Sequence, residues 1–340
     1  MRGLHMKVTV SAPGKITLLG EHAVVYGKPA LVTAIDKRLY VTMEARTDSA
    51  IKVSALDLHI PGLILTFREG SSEYLIETDY DRIVDAMGYV RKAMEITSRH
   101  IGSKSGANVT IRSEMPVGAG LGTSAAIAVG TIAAYALLLG HELGSDEIAR
   151  LGHMTEREVQ GAASPMDTAI STLGGTIFIK PTAGAPLIEK LNLKAQLPSV
   201  VGYTEREAKT SDLLGRVRAL RDLAPRAVDS VVEAIGGVVE DGKAALSSFD
   251  LERMGRLMNI NHGLLEALGV SSKRLNDMVY SSRSAGALGS KMTGAGGGGC
   301  MIALCPGKED QVSIAIKVVG GEPFRANLSG SGIITESVEK

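Results

Sequence analysis

PVGAGLGTSAAIAVG, residues 116–130, holds four glycines and no charged residue, and the absence of charge extends from Met115 to Gly140, 26 residues in all. Three structures suit such a stretch: a backbone cradle for an anion, a membrane span, or a densely packed piece of core. Length alone admits a span, since roughly 20 apolar residues cross a bilayer. The first third, however, is Gly and Pro loop, the remainder is richer in Ala and Gly than in Leu, and no second segment of the kind exists. A loop that opens a helix from Thr123 to Gly140, apolar on every side and buried, is the expected structure.

The rest of the composition limits what such a loop can serve. Lys+Arg and Asp+Glu both number 37, so the formal net charge is zero and no global field attracts nucleic acid or an anionic membrane. An anionic ligand must be bound locally. Tryptophan is absent and aromatics are 4%, which disfavours stacking platforms for bases and leaves the core to aliphatic residues and Met. The two cysteines, in 300-CMIALC-305, have no neighbouring His or Cys cluster and are expected as buried free thiols rather than zinc ligands. They suit a reducing, cytoplasmic setting. The opening MRGLHMKVTVSAPGK lacks the apolar run of a secretory signal, and Met6 is an alternative start.

Elements of both kinds are interleaved. MKVTVSAPGK is expected as a strand broken at Ala12-Pro13-Gly14, with Lys15 at its end, and 30-ALVTAIDKRLYVTMEA-45 as strand. Ile83, Ala86, Met87, Val90 and Met94 have the spacing of an amphipathic helix, and GANVTIRSEMPVG supplies a strand ending at Pro116. A helix capped by Ser145 and rich in acid in its first turn follows the uncharged one. STLGGTIFIKP is a glycine-bounded strand. TAGAP after it marks a domain boundary, placed between Pro181 and Pro198, which divides the chain into 1–188 and 189–340. Beyond Val200 come a strand, helices over 210–284, the strand GCMIALC, a helix over GKEDQVSIAIKVVGG and a closing strand. Without strict βαβα alternation this is an α+β pattern.

A glycine turn that feeds a helix presents free N–H groups and the positive end of the helix dipole, which bind phosphate without a cationic side chain. In GAGLGTSAA, Gly118, Gly120 and Gly122 allow close approach, and Thr123 and Ser124 bring hydroxyls able to reach a phosphate-bound Mg²⁺. Close packing with a Thr or Ser cap explains the same residues equally well. No Lys follows the last Gly, so this is not a P-loop. A second cluster, 293-TGAGGGGC-300, fits G-x-G-x-x-G through Gly294, Gly296 and Gly299, but a strand follows where a dinucleotide site needs a helix. It is expected to bring backbone close to a ligand or to the first loop.

Among side chains, Lys15 can point into a cleft from the first strand. Glu156 lies about 80° round its helix from Ile148, on the flank of the apolar stripe, where it can be solvated or can hold Mg²⁺. Asp167, among small neutral neighbours, can cap a helix or address a substrate hydroxyl.

Three segments, APGKITLLGEHAVVYGKPAL, PVGAGLGTSAA and KMTGAGGGGCMIAL, stand in the order found in the GHMP family of small-molecule kinases, and the sequence resembles that family over nearly its whole length. GEHAVVYG and GRLMNINHGLLEALGVS are most similar to the archaeal form of the branch that phosphorylates mevalonate; the branches acting on phosphomevalonate, homoserine and galactose are less similar. The resemblance implies a two-domain α+β GHMP fold, with the nucleotide in the cleft between an N-terminal α/β domain and a ferredoxin-like C-terminal domain. It implies ATP and Mg²⁺ as cofactors, mevalonate as substrate, a cytoplasmic homodimer, and no nucleic-acid or membrane partner. By the same resemblance Asp167 is the catalytic base and Lys15 its partner and a phosphoryl contact. Pro116, Val117, Gly118, Ala119, Gly120, Leu121, Gly122, Thr123, Ser124, Ala125 and Ala126 bind the nucleotide, and Ser124 and Glu156 ligate Mg²⁺. Glu21, His22, Thr210, Gly294 and Ala295 line the substrate side. One departure is Ser164-Pro165-Met166-Asp167, where many members read P-S-G-x-D. The absence of Walker A, H-R-D and D-F-G motifs agrees with this kinase class.

Overall fold

The computed structural model describes residues 6–55, 63–67, 74–77, 84–115, 119–161, 163–208 and 210–339. In chain order the first half gives β1 (Lys7–Leu19), β2 (Ala30–Ala45), β3 (Ile51–Ala55), β4 (Leu63–Phe67), β5 (Tyr74–Glu77), α1 (Val84–Ile101), β6 (Ala107–Ser113), α2 (Thr123–Leu138), α3 (Ser145–Gln160), α4 (Met166–Leu173), β7 (Thr176–Lys180) and β8 (Leu187–Leu191). The second half gives β9 (Ser199–Thr204), α5 (Thr210–Leu223), α6 (Pro225–Ser248), α7 (Leu251–Ala267), α8 (Lys273–Ser284), β10 (Gly289–Met292), β11 (Gly299–Leu304), α9 (Glu309–Val318), β12 (Glu322–Arg325) and β13 (Ile334–Glu339).

The strands form two sheets. The larger runs β13-β1-β2-β6-β3-β4-β5, with β7 also paired to β2 and β8 to β7. Residues 182-TAGAP-186 thus connect two strands of one hairpin, and β13 carries the chain back to the first sheet after the second is complete. The smaller sheet runs β10-β11-β9-β12, all antiparallel. Numbered along the chain this is 2-3-1-4 with helices after the first and third strands, the ferredoxin-like order. Four helices, α5 to α8, fill the first of those crossovers.

β1 is not broken where Pro13 predicted a break. It continues to Leu19, and its register against β2 slips between Pro13 and Lys15 and again between Thr17 and Leu19. A proline has no N–H for the ladder, and an irregularity accommodates it without ending the strand. Lys15 therefore stands within the strand rather than at its end.

α2 behaves as its composition predicts. It lies on β1 and β2 and is flanked by α1, α3 and α4, and Ile127, Val129, Ile132 and Tyr135 are all buried. Each such side chain contributes roughly 1.5–3 kcal/mol on removal from water. Among the described residues no helix is long and apolar enough to cross a membrane. On α1, Met87, Val90 and Met94 are buried as their spacing predicts, while Ile83 lies outside the described residues. α3 begins at Ser145 itself, one residue earlier than a cap at that position allows. Gly144 takes the cap position and its N–H donates to Glu147 Oε2 at 3.2 Å, so Ser145 is the first helical residue. Both cysteines are buried free thiols, and burial pushes each up to about 12.

Candidate active site

The slips in β1 set the site. Where β1 loses register with β2, the Lys15 N–H donates to Leu121 O at 2.8 Å, which pins the first glycine loop against the strand. Gly122 follows with φ +77, and a Cβ there would stand 2.7 Å from Lys15 Cγ. Only glycine gives this turn while leaving room for the lysine. The second glycine loop approaches from the other sheet: a Cβ on Gly299 (φ +85) would meet Ala119 O at 2.9 Å. The expected contact between the two loops is therefore made, and β11 follows the second loop as a strand.

Between these elements lies a cleft of about 520 Å³. Lys15, Glu21, His22, Gly120, Gly122, Thr123, Ser124, Glu156, Asp167, Thr210, Gly294 and Ala295 all line it, although they come from positions up to 280 residues apart. Ala119, Leu121, Ala125 and Ala126 do not; their side chains are fully buried, because they face the core beneath the loop. Pro116, Val117 and Gly118 lie outside the described residues.

Two pairs organise the cleft. Lys15 Nζ is 3.1 Å from Asp167 Oδ1, with the lysine almost fully buried. The contact is an ion pair without hydrogen-bond geometry, so among the described residues Oδ1 accepts no hydrogen bond. Asp167 sits in the first turn of α4 behind Pro165, the residue at the cap; the carboxylate faces the cleft and caps nothing. Ser164 Oγ accepts the Met166 N–H at 3.2 Å, which holds the variant loop in shape. In the second pair Ser124 Oγ donates to Glu156 Oε1 at 3.4 Å. Burial above all, then the charge of Asp167, raises the Glu156 carboxyl to about 8, against the pull of Lys15 and Ser124. A buried acid in this state gains from a cation.

The donor set suits Mg²⁺. Among the described residues there is no cluster of three or more His, Cys, Asp or Glu that would form a complete protein cage. Mg²⁺ characteristically takes one or two protein oxygens and completes its shell with water and substrate phosphates. Ser124 and Glu156, beside the N-terminus of α2, supply that number.

On the opposite wall His22 adopts φ +61 at the turn after β1, and its Nε2 is 2.9 Å from Ala295 O. That contact requires the proton on Nε2, so Nδ1 is left as an acceptor, and among the described residues it has no partner. Burial lowers the His22 pKa, which favours the neutral ring.

Arg206 is a residue that reading the sequence misses. It follows β9, its Nη1 donates to Thr210 Oγ1 at 3.3 Å, and its Nη2 would lie 3.3 Å from a Cβ on Gly120. It has no carboxylate partner among the described residues, and its buried Nε has no acceptor. In the sequence it stands in TEREAKT, an alternation of charges indistinguishable from a solvated surface. A half-buried guanidinium beside a phosphate-type loop offers bidentate donors to an anion.

Glycine loops at a helix start, an acid–lysine pair and a seryl–glutamate pair face one cleft, an arrangement with the chemistry to transfer a phosphoryl group without a P-loop. Two family models match: GHMP kinases N terminal domain over residues 88–175 and GHMP kinases C terminal over 243–318. The chain belongs to the GHMP kinase family. It is 47% identical to the mevalonate kinase of Pyrococcus furiosus, over 98% of this chain and 100% of that one. Among solved structures it is similar to the Methanococcus jannaschii mevalonate kinase (TM-score 0.77, 29% identity, 97% of this chain and 100% of that chain). The L. major mevalonate kinase in complex with R-mevalonate matches with TM-score 0.80 at 25% identity, over 95% and 96% of the two chains. Within the family the chain stands with the mevalonate kinases.

Proposed function

We propose that the protein transfers the γ-phosphoryl group of ATP to the C5 hydroxyl of mevalonate, giving 5-phosphomevalonate and ADP for isoprenoid synthesis. The observation that carries this reading is the Lys15–Asp167 pair at 3.1 Å, set opposite Ser124 and Glu156 in one cleft. Asp167 accepts the proton as the C5 oxygen bonds to the γ-phosphorus and the bond to the bridging oxygen breaks. Lys15 holds Asp167 and offsets charge on the transferring group. Phosphoryl transfer needs positioning and charge neutralisation more than covalent help. The N–H groups of the first loop hold phosphate oxygens at the start of α2.

Ser124 and Glu156 would hold Mg²⁺, which when bound neutralises charge on the phosphates. Arg206 reaches phosphate from the second half of the molecule. His22 Nδ1 accepts from a substrate hydroxyl, with Glu21, Thr210, Gly294 and Ala295 around it. We divide the chain near the expected 188/189 boundary, moved a few residues on, to the link between β8 and β9. A cytoplasmic homodimer without nucleic-acid or membrane partners completes the reading; family resemblance and the zero net charge support it.

The test is ADP production by purified protein supplied with ATP, Mg²⁺ and, in parallel, mevalonate, phosphomevalonate or homoserine. Turnover with mevalonate alone is expected. Turnover with another alcohol and none with mevalonate would reassign the protein within its family.

A further inference from the structure

Lys291 is fully buried, although lysine is among the residues least often found so. It belongs to β10, yet its ammonium reaches out of the second sheet toward the turn that follows β1. Nζ donates to the Glu21 carboxylate, to Met292 O and, at 3.4 Å, to Thr17 O. The other Glu21 oxygen accepts from Asn261 Nδ2 of α7 at 3.1 Å. Two further contacts keep the same alternation along 291-KMTGA-295. Thr293 Oγ1 accepts from Thr17 N at 3.0 Å and donates to Thr17 O at 3.1 Å, and Ala295 O meets His22 Nε2 at 2.9 Å. Every second residue of this segment thus grips the stretch from Thr17 to His22.

An apolar side chain would fill the Lys291 position without the desolvation cost of a charge, so packing alone does not account for a lysine there. What the ammonium meets is a carboxylate on the cleft wall. We propose that Lys291 is a positioning residue for the alcohol side of the cleft: it fixes the Glu21 carboxylate, and through that carboxylate the turn that presents His22 to the substrate. Lys291 does not itself line the cleft and touches the substrate only through Glu21. Among the described residues Gly122, Ser124 and Glu156, on the nucleotide side, form no hydrogen bond or ion pair with it, and Lys15 feels it only through charge.

The inference rests on the mevalonate reading, and wild-type turnover of mevalonate tests that reading separately. For the inference, Lys291→Met, Glu21→Gln and the double variant are compared by kcat and by KM for each substrate. Lys291→Met is expected to raise KM for mevalonate roughly ten-fold or more and to leave KM for ATP within about two-fold. Because Lys291 acts through Glu21, the double variant is expected to match Glu21→Gln in kcat/KM for mevalonate within about two-fold. Equal rises in both KM values, or a further loss beyond about two-fold in the double variant, would overturn the proposal. Should Lys291→Met fail to fold, the comparison of Glu21→Gln with the double variant decides alone, since the double variant leaves neither charge unpaired. Additive losses in an enzyme that turns over mevalonate normally would refute the role of Lys291 and leave the function standing.

Discussion

Gly122→Ala isolates the contribution of the lysine–aspartate geometry. At φ +77 an L-residue costs about 1–2 kcal/mol of backbone strain. For a chain of this size that lowers Tm by roughly 1–3 °C. A second effect is local: the new methyl would lie 2.7 Å from Lys15 Cγ and 3.2 Å from Cε. Carbon atoms settle at about 3.5–4.0 Å, so the lysine must shift by roughly 1 Å. Enclosed on its other sides, it shifts at the expense of the 3.1 Å contact to Asp167. A displacement of that size is expected to lower kcat roughly 10²-fold. The control is Gly140→Ala, at the end of α2, where φ is +81 and a Cβ meets nothing within 4 Å. It should show a similar fall in Tm by calorimetry and a kcat within about two-fold of wild type at saturating ATP and mevalonate. If the two variants share the same kcat, Gly122 matters only for its backbone, and the steric argument about Lys15 is wrong.

Three further outcomes are expected. Asp167→Asn should reduce kcat roughly 10²- to 10⁴-fold with a small change in either KM, and near-normal kcat would remove Asp167 as the base. Glu156 has a folded pKa of about 8, above its ordinary value of 4.5, so the fold favours the protonated acid, and stability is lost as pH rises through that window. In metal-free protein Tm should therefore fall less between pH 5 and 8 in Glu156→Gln than in wild type; parallel Tm profiles would sink this account of the carboxyl. Arg206→Ala should lower kcat/KM for ATP roughly 10- to 150-fold, the range for a hydrogen bond to a charged group, with Arg206→Lys restoring little of it. Full activity in Arg206→Ala would show that the guanidinium meets no phosphate.

What could be read from the sequence was what is local. α2 was legible because an uncharged, Ala-rich run behind a glycine loop packs as core, and the two glycine loops because their spacing is dictated by backbone. Asp167 and Glu156 were legible as candidates from their neighbours, whereas their pairing with Lys15 and Ser124 came from the family resemblance alone, because spacing says nothing about contacts between distant segments. The course of β1 was misread at Pro13, since the rule that proline ends a strand ignores the slip that absorbs it. Arg206 and Lys291 escaped for opposite reasons. Arg206 lies in a charged stretch that conceals its burial, and Lys291 is a single lysine whose partner Glu21 lies 270 residues away. Likewise, nothing in the local pattern of β13 says that it crosses back to the first sheet.

That crossing has a consequence for synthesis. β1 carries Lys15 and is flanked by β2 on one edge and β13 on the other. At ribosomal speeds the roughly 320 residues that separate β1 from β13 take about 15–65 s to emerge. Throughout that interval the strand bearing Lys15 has an open edge, a template for pairing with another nascent chain. Its protection during those seconds must come from outside the fold, and aggregation of this protein should begin at β1.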